Sequence, residues 1–169
     1  MPDILMVMGS ESDFDSMSAG VEILKELGIE LKVQVASAHR TPTRVEALIK
    51  EAESDGTQVI IAAAGMAAHL AGVVAGKTIL PVIGVPMDSP HLSGLDSLYS
   101  TVMMPPGIPV ATVGIGKPGA KNAAYLAASI MALKDDDIRK RMLDYRAGLG
   151  DKVDAMNKSV QKKLGERGG

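Results

Sequence analysis

The chain contains no cysteine and no tryptophan, and its aromatic rings come from one phenylalanine and three tyrosines in 169 residues. Without cysteine there is no disulfide, no thiolate nucleophile and no zinc-thiolate centre, and the composition suits a reducing compartment. So few rings leave little on which to stack a flavin or a row of bases. Neither sign of charge is in excess. The 18 Lys and Arg against 20 Asp and Glu leave a formal net charge of -2, so the basic field that holds nucleic acid is missing. No apolar run approaches membrane-spanning length, and the N-terminal MPDILMVMG has neither the basic start nor the small-residue cleavage site of a secretory signal. These absences predict a cytoplasmic protein with no membrane partner and no nucleic-acid partner.

What is present is a core. With 46% hydrophobic residues the chain can build one domain, read over 1–169, and is too short for two ordinary ones. Apolar runs at Ile4 to Met8, Leu31 to Ala36, Val59 to Ala64, Leu80 to Val85 and Val110 to Gly114 recur between helical stretches. They are nearly continuous rather than alternating, as in parallel strands covered on both faces. Phe14 to Leu27 reads as a helix closed by Gly28, and Pro42 opens another that runs through VEALIKEAES. Right-handed crossovers then predict a flavodoxin-like α/β fold: three layers around a doubly wound, parallel, five-stranded sheet in the order 2-1-3-4-5.

The C-terminal part differs. From Asp135 onward, Ile138, Met142, Tyr145, Leu149, Val153, Met156, Val160 and Leu164 fall at steps of three or four on an otherwise charged helical extension over about 135–165. Gly148 and Gly150 are candidates to break it in two. The stripe needs a surface, either the chain's own sheet or a second copy. Met103 and Met104, between Gly- and Pro-rich turns, also suit a subunit contact.

In such a sheet, ligands bind outside the carboxyl ends of the strands where strand order reverses. Three polar turns converge there: GSESD after the first strand, SAHRTP after the second and AAGMAAHL after the third. In GSESD, Ser10, Ser12 and the amides opening the next helix offer donors for a phosphate. GSESD is neither a Walker loop, since GxxxxGK(S/T) is absent, nor a GxGxxG fingerprint. Asp13 reads first as a helix-start carboxylate, and as an acceptor for sugar hydroxyls if it faces the site. Arg40 offers a planar fork for a phosphate or carboxylate, against the plainer reading of a surface salt bridge. His39 can give and take a proton near neutral pH. His69 is either a second acid or base or a histidine packed among small residues. Ala63, Ala64, Gly65, Ala67 and Ala68 leave a tight apolar pocket. His91, Lys77, Lys117 and Lys121 read as solvated. No spacing of His and carboxylate residues implies a metal.

GSESD, SAHRTP, AAHLAG, LPVIGVP, LSGLDSLYS and MPPGIPVATVGIGKPGAKNAA, in this order over nearly the whole chain, resemble the bacterial N5-carboxyaminoimidazole ribonucleotide mutases of purine biosynthesis, the PurE family. The resemblance implies an octamer without metal or organic cofactor, moving a carboxylate from the N5 nitrogen of an aminoimidazole ribonucleotide to ring carbon C4. It also implies that His39 is catalytic. Ser10, Ser12, Asp13, Ser37 and Arg40 would hold the ribose phosphate, and Ala64, Gly65, His69 and Leu70 would flank the migrating carboxylate. A related carboxylase type, which adds free CO2 to aminoimidazole ribonucleotide, typically has lysine where Arg40 stands. Ala63, Met66 and Ala71 depart from the family's usual Gly, Gly and Pro, and Phe14 from a common Trp.

Overall fold

The computed structural model describes residues 2–167; Met1, Gly168 and Gly169, the ends of the span read as one domain, lie outside the described residues. Five strands, β1 (Ile4–Met8), β2 (Leu31–Val35), β3 (Val59–Ala64), β4 (Val82–Pro86) and β5 (Ala111–Thr112), form one parallel sheet in the order β2-β1-β3-β4-β5. Ile4 stands opposite Leu31 on one side and Val59 on the other. The helices between them are α1 (Phe14–Glu26), α2 (Pro42–Ser54), α3 (Leu70–Ala75), α4 (Leu95–Val102) and α5 (Gly116–Met131), and the chain continues into α6 (Asp136–Arg167).

Strand periodicity sorts the apolar residues into two cores. Ile4, Met6, Met8, Ile61 and Ala63 face the α1/α5 side, while Leu5, Val7, Ile60 and Ala62 face α2 and α3. On the first side, Ala120, Ala123, Ala124, Ala127 and Ala128 form a small-residue stripe along α5, all fully buried. It lets α1 come so close that a Cβ on Gly20 would lie 2.7 Å from the Ala120 carbonyl oxygen. This packing fixes where α1, and therefore the turn before it, sits over the sheet.

Two strands depart from the sequence expectation. β2 is an edge strand and only half buried; its polar Lys32 pairs with Glu51 and its Gln34 accepts from Arg44 at 3.2 Å. β5, at the opposite edge, is reduced to two residues, with the Val113 N–H still donating to the Gly84 carbonyl at 3.1 Å.

α6 is continuous through Gly148 and Gly150. Its first turns are fastened to the body: Ile138 and Met142 are buried, and Tyr145 stacks on Tyr125 of α5 with ring centroids 4.4 Å apart. Burial, and then the hydrogen bond to Tyr145, push the Tyr125 phenol above its usual range. Beyond Tyr145 the stripe has no cover in the single chain, with Val153, Met156, Val160 and Leu164 each more than half exposed. Of the two methionines expected to suit a subunit contact, Met103 is exposed, whereas Met104 is half buried, its sulfur against Gly72 of α3.

Candidate active site

A cleft of about 550 Å³ opens over the carboxyl ends of β1, β2, β3 and β4. Ser10, Ser12 and Asp13 line it from the first turn, Ser37, His39 and Arg40 from the second, and Ala64, Gly65, His69 and Leu70 from the third. Of the residues expected from the sequence, these ten and Ala67 meet the same space, whereas Ala63 and Ala68 do not line it: both are buried, Ala63 in the core on the α1/α5 side of the sheet.

The first turn is a capping box on a single 3-10 turn, Glu11–Asp13. Ser10 N–H donates to the Asp13 carboxylate at 3.1 Å, and Ser10 Oγ accepts from Ser12 N–H at 3.3 Å and from Ser12 Oγ at 2.9 Å. The amides expected to greet an anion are thus partly spent inside the turn, and the hydroxyls are what it presents. Asp13 fills its structural role and still lines the cleft. Burial raises its carboxyl above the ordinary aspartate value, opposed by hydrogen bonds from the Ser10 and Gly9 amides.

The second turn is wound on itself. Ser37 N–H donates to Thr41 Oγ1 at 2.9 Å, Thr41 N–H donates back to the Ser37 carbonyl at 2.9 Å, and Arg40 N–H donates to Ser37 Oγ at 3.2 Å. Pro42 then starts α2 at the position where a missing N–H costs nothing. The effect is to hold His39 and Arg40 outward. Arg40 donates from Nη2 to the Gly9 carbonyl at 3.1 Å, spanning from the second turn to the first. Among the described residues it makes no ion pair, so the rest of its fork faces the cleft without a carboxylate partner.

His39 Nε2 and His69 Nδ1 lie 2.8 Å apart, with the rings edge to face at 78°. One nitrogen must carry the hydrogen and the other must be bare, so the pair holds a proton between two rings that are both open to the cleft. This is the central geometric fact of the site. Residue numbers 39 and 69 gave no hint of it, because the two histidines follow strands separated by β1.

The third turn carries a strained residue. Met66 has φ 52°, a left-handed backbone that costs a non-glycine residue about 1–2 kcal/mol. It is followed by two tight turns, Ala68 N–H on the Met66 carbonyl at 2.9 Å and His69 N–H on the Ala67 carbonyl at 2.8 Å, which deliver His69 to the start of α3.

Sequence reasoning missed a fourth turn. Asp88, Ser89 and Pro90, after β4, also line the cleft. Ser89 is committed internally, donating to Asp96 at 2.7 Å and accepting from Gly94 N–H at 3.3 Å. The strand order itself was the available clue, since β4 neighbours β3 and its carboxyl end borders the same crevice. His91 is exposed, as expected, and Lys77 pairs with Glu46 at 2.8 Å. Among the described residues no three His, Cys, Asp or Glu side chains gather where they could hold a metal ion, and no helix is long and apolar enough to cross a membrane.

A doubly wound flavodoxin-like sheet with a hydrogen-bonded histidine pair at its carboxyl edge, in a cleft it shares with an arginine that makes no ion pair among the described residues, defines an enzyme cleft of the small-ligand class. The chain belongs to the AIR carboxylase family, whose pattern it matches over residues 3–152. It is 53% identical over 158 residues to the N5-carboxyaminoimidazole ribonucleotide mutase of Methanocaldococcus jannaschii, covering 94% of this chain and 97% of that one. It is 51% identical over 150 residues to the mutase of Escherichia coli K12, covering 89% of each. The crystal structure of Treponema denticola PurE superposes with a TM-score of 0.84 at 32% identity, covering 94% of this chain and 98% of that one.

Proposed function

We infer that this protein is an N5-carboxyaminoimidazole ribonucleotide mutase, an isomerase that converts the N5-carbamate (N5-CAIR) into 4-carboxy-5-aminoimidazole ribonucleotide (CAIR) in de novo purine biosynthesis. The observation that carries the reading is the His39–His69 contact at 2.8 Å in the cleft that also holds Arg40, in a chain whose relatives at 53% and 51% identity bear that name.

The chemistry follows from what these side chains can do. The carbamate N–C bond breaks, N5 keeps the electron pair and takes a proton, and CO2 is released within the cleft. The ring's enamine electrons then form the C4–C bond, and the C4 hydrogen leaves as a proton. One group that gives a proton and takes one back serves both halves, and His39 is that group, with His69 holding its Nε2 side. Arg40 clamps the phosphate, Ser10, Ser12 and Ser37 supply hydroxyls, and Asp13 accepts from the ribose. Ala64, Gly65 and Leu70 form the apolar wall beside the migrating carboxylate, which keeps water from CO2. No metal or organic cofactor is needed for these steps.

The exposed stripe of α6 supports a homo-oligomer, and the resemblance to PurE supports eight copies of a single domain in the cytoplasm. The family's description as AIR carboxylase keeps a second reading in view, direct addition of CO2 to aminoimidazole ribonucleotide. Arg40, in place of the lysine typical of that type, favours the mutase. One assay separates them: freshly prepared N5-CAIR beside aminoimidazole ribonucleotide plus bicarbonate, each followed by the absorbance of CAIR. Fast product from N5-CAIR with little from the second mixture at low bicarbonate is expected. Efficient product from the second would make this a carboxylase.

A further inference from the structure

Met66 is unexplained by folding. Its backbone is left-handed at φ 52° and its side chain is 67% exposed, so neither conformational preference nor burial accounts for a methionine there. What it does touch is the cleft. It lines the same space as His39, His69 and Arg40, and the tight hydrogen-bonded turn from Met66 to His69 ties its position to that of the histidine pair.

Its neighbours sharpen the point. Ala64, Gly65 and Ala67, which line the cleft beside it, are all small. Leu70, the other long apolar side chain lining the cleft from this segment, is buried at the start of α3, so Met66 is the long apolar side chain there that stands exposed. A thioether with three rotatable bonds adapts to whatever lies beneath it, and it excludes water without offering a competing donor. Phe14 of the first turn and Met103 of the loop after α4 are also exposed, but neither lines the cleft.

We propose that Met66 is a retention residue, covering the carboxyl-migration end of the cleft so that CO2 released from the carbamate is captured by C4 before it exchanges with solvent. This rests on the mutase reading, and it assigns to the strained turn the job of keeping the two half-reactions coupled. The atoms balance as in the reaction above. The only competing route is escape of CO2, leaving aminoimidazole ribonucleotide, and re-entry of CO2 from the bicarbonate pool.

The test is isotopic. The full chain turns over N5-CAIR in isotope-labelled bicarbonate with carbonic anhydrase present, and mass spectrometry reads the labelled fraction of the C4 carboxylate after subtraction of exchange measured without enzyme. Met66→Ala keeps the strained backbone and removes the cover, Met66→Gly removes both, and Met66→Leu keeps apolar bulk. The labelled fraction is expected to rise severalfold in the Ala and Gly variants alike and to stay near wild type in the Leu variant, while Met66→Gly alone melts higher. Equal label in all four proteins, or a rise confined to Met66→Gly, overturns the inference. A wild-type protein that converts N5-CAIR while these variants fail to differ leaves the mutase reading standing; a wild type that makes no CAIR overturns both.

Discussion

The carboxyl edge of the sheet and the outer half of α6 are built on opposite principles. At the edge, polar groups answer one another within the chain: the Ser10 to Asp13 box, the Ser37 to Thr41 loop, the histidine pair and the Arg40 bond to Gly9. Each turn is rigid before any ligand arrives, which is what pre-organised chemistry requires. Along α6, Leu149, Val153, Met156, Val160 and Leu164 repeat an apolar face that nothing in the chain covers. This 32-residue helix carries three glycines, Gly148, Gly150 and Gly165, and a glycine in a helix interior costs about 1 kcal/mol relative to alanine, so its propensity alone supports it poorly. The edge is knit by hydrogen bonds of its own chain, whereas the outer half of the helix is left uncovered by the described residues.

That contrast can be broken from either side. The largest effect belongs to the edge: His39→Asn should lower turnover of N5-CAIR by about 10²- to 10⁴-fold, the range of a lost general acid-base group, in a single-turnover assay. Arg40→Ala should weaken binding of the phosphorylated product by about 10- to 100-fold, the size of a charge-assisted hydrogen bond, by calorimetry. An unchanged affinity would remove the clamp from the account. Leu149→Asp combined with Val153→Asp should split the assembly into smaller species by analytical ultracentrifugation without loss of sheet signal in circular dichroism. An unchanged mass would mean that the stripe covers no subunit contact.

The smallest effect concerns Asp13. Burial raises its carboxyl above the ordinary aspartate value, so folding disfavours its charged form relative to the unfolded chain. Its contribution is favourable below the ordinary aspartate range and is lost as pH rises through the raised value. Asp13→Asn should therefore melt a few degrees higher at neutral pH, with the gain shrinking as the solution is acidified below the ordinary aspartate range. A gain that grows on acidification would contradict the sign.

Much of this was legible in the sequence because it is local. β3 falls at Val59–Ala64 as the apolar run predicts, and Pro42 opens α2 where a proline can. The order β2-β1-β3-β4-β5 follows from parallel crossovers. What escaped was long-range. Strands β2 and β3 lie two spacings apart, about 10 Å, and only the shapes of two turns bring His39 onto His69. The Asp88 turn was overlooked because the expected crevice was drawn from three strands and not four. The brevity of β5 and the half-exposure of β2 reflect their places at the two sheet edges, which a run of apolar letters does not encode.

The central claim is that proton transfer and anion holding are separate jobs done by adjacent residues, His39 and Arg40. The measurement that tests it most directly is the affinity of the His39→Asn protein for CAIR, taken on the same preparation whose turnover is lost. The account predicts an affinity close to that of the wild type. A loss of affinity as large as the loss of turnover would mean that His39 holds the nucleotide in place, and the assignment of the proton to it would fail.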